Sequence, residues 1–290
     1  MKESRGEKIF YIFNNIFLII LTCLILYPIV YVISASFSSG TAIKAGQVKL
    51  LPVDFDLSAY RYTFTDNTIW IAYLNSFFYT IFGTAIAMVF TILGAYTLSK
   101  DDLPGKRVIS FFFTLTMWFG AGMIPTFLNY RDLGLIDSRW GILLHGACSA
   151  YNMILLKNFF SSIPKSLEEA CDIDGATQMQ ILTKVYLPLS KASLACITLF
   201  YAVARWNEYM WPMIIVSSDS KIPLQVVVKK IIVDLKETVD TMNDELTYGD
   251  LSNEGLIYAT IVVSSVPMLV LYPFIQKYFV GGVMIGAVKG

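Results

Sequence analysis

Charge is scarce in this chain. Lysine, arginine, aspartate and glutamate make up 15% of its 290 residues, against about 25% in soluble domains. Hydrophobic residues make up 56%, a composition that excludes a soluble domain and points to an integral membrane protein. The formal net charge is +0, so no global field attracts nucleic acid or an acidic partner. Histidine occurs once, at His145, which excludes H-E-x-x-H, and there is no G-x-S-x-G, so an intramembrane hydrolase has neither a metal set nor a nucleophile elbow. The four cysteines, Cys23, Cys148, Cys171 and Cys196, form no C-x-x-C pair, which speaks against a disulfide framework or a metal site. A phosphate-cradling G-x-x-x-x-G-K-[ST] is also missing, because Gly105-Lys106-Arg107 lacks both the upstream glycine and the hydroxyl residue.

What the chain does have is apolar length. A hydrocarbon core of about 30 Å takes roughly 20 apolar residues in helix, and six stretches reach that length, at about 10–36, 70–98, 108–129, 140–160, 190–216 and 256–280. The first is too long for a signal-peptide core and lacks a small-residue cleavage pattern after it, so it reads as a retained span. None of the six alternates in polarity over about 10 residues, which argues against a barrel. The expectation is an all-α polytopic protein with six transmembrane helices in one domain over 1–290. Lys2, Arg5 and Lys8 before the first span, with Lys100, Lys106 and Arg107 after the second, place both termini in the cytoplasm. Lys44, Lys49, Arg61, Arg131, Arg139 and the group from Lys221 to Lys236 dilute that signal on the opposite face. On this orientation residues 164–188 are cytoplasmic and the loop 217–255 is extracytoplasmic. That loop clusters Asp234, Glu237, Asp240, Asp244 and Glu245, a run that reads as a solvated face or as a docking surface.

Between the fourth and fifth runs lies a polar stretch, Pro164 to Pro188, PKSLEEACDIDGATQMQILTKVYLP. Ser166 with Glu169 fits a capping box that opens a short helix, and Gly175 suits its left-handed C-terminal cap. A second helix over 176–186 carries Met179, Leu182, Val185 and Tyr186 on one apolar face, and Pro188 is expected to end it by disfavouring helical geometry at Leu187.

Glu169-Ala170-Cys171, then Asp174-Gly175, Val185 and Leu187-Pro188, match the spacing of the EAA loop of ABC importer permeases. Cys171 replaces the second alanine of that pattern and Val185 replaces an isoleucine. GAGMIPTFLNYRDLGLIDSRWGILL (120–144), WNEYMWP (206–212), IPLQVVV (222–228) and GVMIGAVKG (282–290) extend the likeness, which resembles the second permease subunit of maltose-type, oligosaccharide-importing systems. The resemblance implies a type I ABC importer permease fold and no enzymatic activity in this chain. It implies a second permease subunit in a heterodimer, two ATP-binding subunits carrying ATP-Mg, and an extracytoplasmic solute-binding protein. It further implies that the hairpin docks in the ATPase, with Glu169 making polar contacts, Ala170 and Cys171 allowing close approach, Gly175 setting the angle, and Asp174, Leu187 and Pro188 completing the motif. A permease for a non-sugar solute is the alternative. An ion-coupled secondary transporter fits less well, since the spans show no repeat and no carboxylate pair.

Within the spans, Arg205 and Glu208 sit at i and i+3 and can neutralise each other. Either they form an interfacial snorkelling pair, or Arg205, Trp206, Asn207 and Glu208 line the translocation route. His145 reads as a hydrogen-bonded packing residue. Trp118, Trp140, Trp206 and Trp211 could stack on sugars, although interfacial belts produce the same composition, the preferred reading for Trp70 and Trp140. Gly83, Gly94, Gly120 and Gly122 are expected to let helices approach closely.

Overall fold

The computed structural model describes residues 5–241 and 253–287. They are mostly helical, with no strand among the described residues beyond an isolated antiparallel bridge between Ser38 and Phe55. The chain divides into two compact units, Met1–Ile69 with Val228–Val266, and Trp70–Val227 with Pro267–Gly290.

In the first unit, helix α1 (Arg5–Ser36) leads to short α2 (Gly40–Lys44) and α3 (Ser58–Thr65). The most apolar window of α1 is 0% buried, and its contacts lie at its C-terminal end, where Ser34, Ala35 and Ser36 are buried. Beyond it the chain is tied by serines. Ser34 Oγ donates to the Leu50 carbonyl at 2.7 Å, Ser38 Oγ accepts the Val53 amide at 3.0 Å, and Phe37 stacks on both Phe55 and Tyr60. Ala35, Ala42, Ile43 and Val48 form a small core beneath Tyr31 and Tyr258.

The second unit carries most of the architecture. Helix α4 (Asn67–Ser99) runs unbroken and stops where Lys100-Asp101-Asp102-Leu103-Pro104-Gly105 begins, with Gly105 in the left-handed region at φ 72°. Helices α5 (Lys106–Trp118) and α6 (Met123–Asp132) follow, then α7 (Arg139–Leu144) and α8 (Ala150–Phe160). After α9 (Lys165–Ile173) and α10 (Gln178–Ile181) comes a π-helical turn, Leu182–Tyr186, that runs into α11 (Leu187–Leu189). Helices α12 (Lys191–Asn207) and α13 (Met210–Ile215) and a 3-10 turn at Asp219–Lys221 lead to α14 (Leu224–Thr241), which belongs to the first unit from Val228 on, and the last helix, α15 (Asn253–Ala287), begins in the first unit and belongs to the second from Pro267 on. Helix α8 packs against α5 and α12, and α7 against α13. Leu156, Phe160, Ile181 and Ile197 are fully or almost fully buried at the centre of the main core.

Three of the expected spans are not single helices. Residues 108–129 bend by 114° between α5 and α6, at Phe119-Gly120-Ala121-Gly122, where Gly122 takes φ 85°. Residues 140–160 divide at 145–149, where Gly146 takes φ 62° and Ser149 caps α8. Residues 190–216 divide into α12 and α13 at Glu208-Tyr209, and α12 is itself entered through an 86° bend at Ser190. Among the described residues, three helices are long and apolar enough to cross a membrane, or up to five when each bent pair is taken as one. Hydrophobic length alone could not show these breaks. Within the loop expected over 217–255, residues 224–241 form α14, and Asp244 and Glu245 lie outside the described residues.

Two of the four glycines singled out in the sequence make room for close neighbours. A Cβ on Gly94 would stand 2.5 Å from Met153 Cε, and one on Gly83 would stand 3.1 Å from Arg205 Nε. Gly120 has nothing within 4 Å, and Gly122 serves the bend. The tightest position is Gly141, where a Cβ would collide with the Leu135 backbone carbonyl and stand 3.1 Å from Ile215 Cδ1. Backbone cannot yield as a flexible side chain can, so Gly141→Ala is expected to destabilise the protein by about 1–3 kcal/mol. Gly94→Ala, facing the mobile end of a methionine, should cost less. Thermal unfolding of the two variants in detergent checks the order.

Candidate functional site: a clasped hairpin and a polar cluster at three helix breaks

The hairpin 164–188 is built from α9, a glycine turn and the α10–α11 run. Helix α9 begins at Lys165 with Pro164 at its N-cap and no side-chain cap. Ser166 therefore lies inside the helix, and the expected Ser166–Glu169 capping box does not form. The box is one turn of chain later, where Thr177 Oγ1 accepts the Gln180 amide and Gln180 Oε1 accepts the Thr177 amide at 2.8 Å. Between the helices Gly175 takes φ 76°, a left-handed conformation that a Cβ would penalise. The amides of Gly175 and Ala176 donate to the carbonyls of Asp172 and Cys171, closing α9.

Pro188 does not end the second helix. Leu187 keeps right-handed helical angles, φ −64° and ψ −45°, and its amide donates five residues back to Leu182. The widened π turn ahead of Pro188 absorbs the proline's missing N–H and its ring, as such bulges do. The break falls at Ser190, φ −104° and ψ 17°. Leu182 and Tyr186 are buried and Val185 is half-buried against the main core, so three of the four residues of the apolar face pack inward and Met179 stays exposed. The hydrophobic side chains that the hairpin does expose are Leu167 at 42%, Ile173 at 88% and Met179 at 59%. Glu169, Ala170, Asp174, Gly175 and Pro188 are exposed with them, whereas Cys171 and Leu187 pack inward.

Glu168, not Glu169, is the acidic residue anchored in the fold. Lys100 Nζ donates to Glu168 Oε1, and the Tyr186 hydroxyl donates to Glu168 Oε2 at 2.7 Å. The ammonium also lies 4.1 Å from the Tyr96 ring centroid and 4.9 Å from that of Tyr186. The Tyr96 hydroxyl in turn donates to Gln178 Oε1 at 2.7 Å. A second tie joins Lys165 to Asp101, which also accepts from Lys106 at 3.0 Å; those cations hold the exposed Asp101 carboxyl down at about 2. Burial opposes charge on both Glu168 and Lys100, but their hydrogen bonds outweigh it, so the carboxyl stays below its ordinary value and the ammonium above. The sign follows for each: the depressed carboxyl gives up its contribution only on strong acidification, the raised ammonium only in strong alkali. The pair is ionised throughout the neutral range. Sequence reasoning passed over Glu168 because the motif begins one residue later, and only the fold brings Lys100, sixty-eight residues away in sequence, onto it.

The second site gathers at the breaks. Arg205, on the last turn of α12, donates to the carbonyls of Ile142 at 2.8 Å and Leu143 at 3.1 Å. These are end carbonyls of α7, which have no partner within their own helix. Arg205 is 8% exposed, its place kept open by Gly83. Glu208 caps α12, with one carboxylate oxygen 4.0 Å from Arg205 and the other 3.3 Å from His145 Nε2. His145 Nδ1 lies 3.1 Å from the Tyr130 hydroxyl, and Trp211 stacks on the Tyr130 ring and meets the His145 ring at a tilt. Of the four candidate path residues, Trp206 is 2% exposed and packs between Tyr73 and Phe77. Asn207 is exposed and donates to the Val203 carbonyl within its own helix. The four therefore do not share one face. His145 is the hydrogen-bonded residue the sequence suggested, but with partners that no local pattern indicates.

Asp137 closes the neighbouring loop. At φ 51° its carboxylate accepts the amides of Ser217 and Ser218, the Ser218 hydroxyl and Lys221 Nζ. Those hydrogen bonds hold the carboxyl far below the usual range. Asn75 donates to the carbonyls of Ser220 and Ile222, Tyr79 donates to that of Lys221, and Ser76 accepts the Leu224 amide.

Residues 104–285 match the family described as binding-protein-dependent transport system inner membrane component. The chain belongs to that family. It is 40% identical, over 94% of its length and 96% of the relative's, to the polygalacturonan/rhamnogalacturonan transport system permease protein YtcP of Bacillus subtilis. It is 34% identical, over 100% of its length and 98% of the relative's, to protein LplC of the same organism. Among solved structures, it superposes with a TM-score of 0.88 and 49% identity on a chain of a bacterial ABC transporter that imports the acidic polysaccharide alginate, covering 96% of this chain and 99% of that one. The inner membrane component is thus a permease of a binding-protein-dependent importer, and the hairpin and polar cluster are parts of a transport machine. Arg205→Met removes both donors to α7 and leaves Ile142 and Leu143 carbonyls uncapped, which should cost about 3 kcal/mol. Asn207→Ala should leave stability within about 0.5 kcal/mol. Melting temperatures of the purified variants separate the two.

Proposed function

We propose that this permease pairs with a second, different permease subunit to form the path of an ATP-driven oligosaccharide importer. This chain contributes six spans, three of them broken. Residues 164–188 are the cytoplasmic joint with one of two ATP-binding subunits, which hold ATP-Mg, and both termini are cytoplasmic. An extracytoplasmic solute-binding protein delivers the cargo to the opposite face. The observation that carries this reading is Ile173, 88% exposed beside the Gly175 turn, with Leu167 and Met179 the other large hydrophobic side chains that the hairpin exposes. An apolar side chain of that size held out by a rigid turn suits a complementary cleft, with Glu169 exposed beside it for a polar contact.

For cargo, uronate-containing oligosaccharides fit best. The substrates for which two of these relatives are named, polygalacturonan/rhamnogalacturonan and alginate, are polymers that contain carboxylate-bearing sugars. Along the route, Asn207 and Glu208 retain access that Arg205 and Trp206 have lost to packing. Asn207 and Glu208 therefore present hydrogen-bonding groups to passing hydroxyls, and Tyr130 and Trp211 supply aromatic faces beside them.

The reading is tested with the assembled importer in proteoliposomes. Gly175→Pro forbids φ 76°, since the pyrrolidine ring locks φ near −65°, and Glu169→Ala removes the polar contact. Both variants should insert normally and yet lose cargo-stimulated ATP hydrolysis and uptake by about tenfold or more. Normal uptake with the ATPase still bound would defeat the joint. For cargo, short oligogalacturonates should stimulate ATP hydrolysis where neutral maltooligosaccharides do not; equal stimulation by both would defeat the acidic assignment.

A further inference from the structure

The hairpin has two kinds of acidic residue, and they face different ways. Glu169 is exposed, whereas the Glu168 side chain is 20% exposed and the Lys100 side chain 16%. Each Glu168 oxygen is used, one by Lys100 and one by the Tyr186 hydroxyl, and the Lys100 ammonium is shared between that carboxylate and two aromatic faces. Three segments of chain meet there: the end of α4 with Tyr96 and Lys100, the first turn of α9 with Glu168, and the last residue of the π turn with Tyr186. Tyr96 ties in a fourth point, the first residue of α10. Tyr96, Phe160 and Tyr186 pack edge to face around the ammonium's platform.

Such an arrangement exceeds what is needed to keep a surface hairpin folded. The glycine turn, the Thr177–Gln180 capping box and the buried Ile181 and Leu182 already close the hairpin on itself and on the core. The clasp adds orientation. It fixes the angle between α9 and the end of α4 through an ion pair with little solvent access, where loss of one partner strands the other.

We propose that Lys100, Glu168 and Tyr186 are positioning residues that make α9 and α4 move as one body, so that a push on the hairpin reaches the spans. This rests on the reading of the hairpin as the joint with the ATPase. Without the clasp the hairpin would still dock, but it would swing on its flanking turns and absorb the motion locally.

The measurement is the coupling ratio, solute imported per ATP hydrolysed, in proteoliposomes containing the full complex. Lys100→Met and Glu168→Gln should each lower it about tenfold, with the ATPase still co-purifying and cargo-free hydrolysis persisting. The double variant should be no worse than either single one, because both remove the same interaction. Lys100→Arg, which can still pair and lie over an aromatic face, should retain most coupling, and Tyr186→Phe, losing one hydrogen bond, should fall in between. A ratio unchanged in the single variants while Glu169→Ala uncouples would overturn the clasp and leave the joint standing. Additive losses in the double variant would also overturn it. If neither Glu169→Ala nor the clasp variants alter the ratio, the joint itself is refuted and the clasp with it. Should Lys100→Met and Glu168→Gln fail to assemble, Tyr186→Phe decides: an unchanged ratio in that assembled variant overturns the proposal.

Discussion

A helix that stops among apolar neighbours leaves carbonyls and amides that must find new partners, because neither lipid nor core offers any. In the second unit that demand falls most heavily on one side chain. Arg205 reaches from the end of α12 to the last carbonyls of α7, and its burial is possible because Gly83 leaves it space and Glu208 stands at 4.0 Å. A lysine there would offer a point charge, whereas the guanidinium fork addresses two carbonyls at once. The His145, Tyr130 and Trp211 contacts depend on that arrangement, since they surround the same Glu208 and the same break. The sharp bends and the polar cluster are therefore one feature: the breaks create the unsatisfied groups, and the cluster satisfies them.

The same accounting explains the hairpin. Its sequence is polar enough to face water, yet the fold spends Glu168, Lys100, Tyr96, Gln178 and Tyr186 on internal ties and turns Leu182 and Tyr186 into the core. What remains outward is Leu167, Ile173 and Met179 with Glu169 among them. An exposed apolar set framed by acidic groups is the surface that the proposed joint would use, and the scaffold behind it is tied by the Lys100–Glu168 pair and its tyrosines.

Local chemistry made some of this legible in advance. Gly175 in a left-handed turn follows from a helix needing a C-terminal cap, and the membrane character follows from composition. Long-range pairing was not legible. Nothing around Glu168 distinguishes it from Glu169 until Lys100 is brought beside it, and Arg205 and Glu208 looked like a self-sufficient pair until the end of α7 claimed the arginine. The proline signal failed for a different reason. Pro188 is ordinarily a stop, but a π turn lengthens the preceding hydrogen bond to five residues and lets the chain run on. Hydrophobic periodicity reported where apolar residues lie and was blind to bends of 114° and 86°, because a broken helix buries the same side chains as a straight one.

Helix α4 connects these separate solutions. Near its start, Asn75, Ser76 and Tyr79 hold the backbone of residues 220–224, the segment that Asp137 also grips. At its other end, Tyr96 and Lys100 hold the hairpin. From Asn75 to Ser99 the helix is unbroken, about 36 Å at 1.5 Å per residue, a little more than a hydrocarbon core of about 30 Å. It is one of the helices long and apolar enough to cross a membrane, and its two gripped ends stand about the thickness of a hydrocarbon core apart. α5–α6, α7–α8 and α12–α13 are bent or interrupted, whereas α4 runs without a break from the residues that grip 220–224 to those that grip the hairpin. For the joint proposed above, α4 is therefore a continuous route by which a displacement of the hairpin reaches residues 220–224 without crossing a helix break.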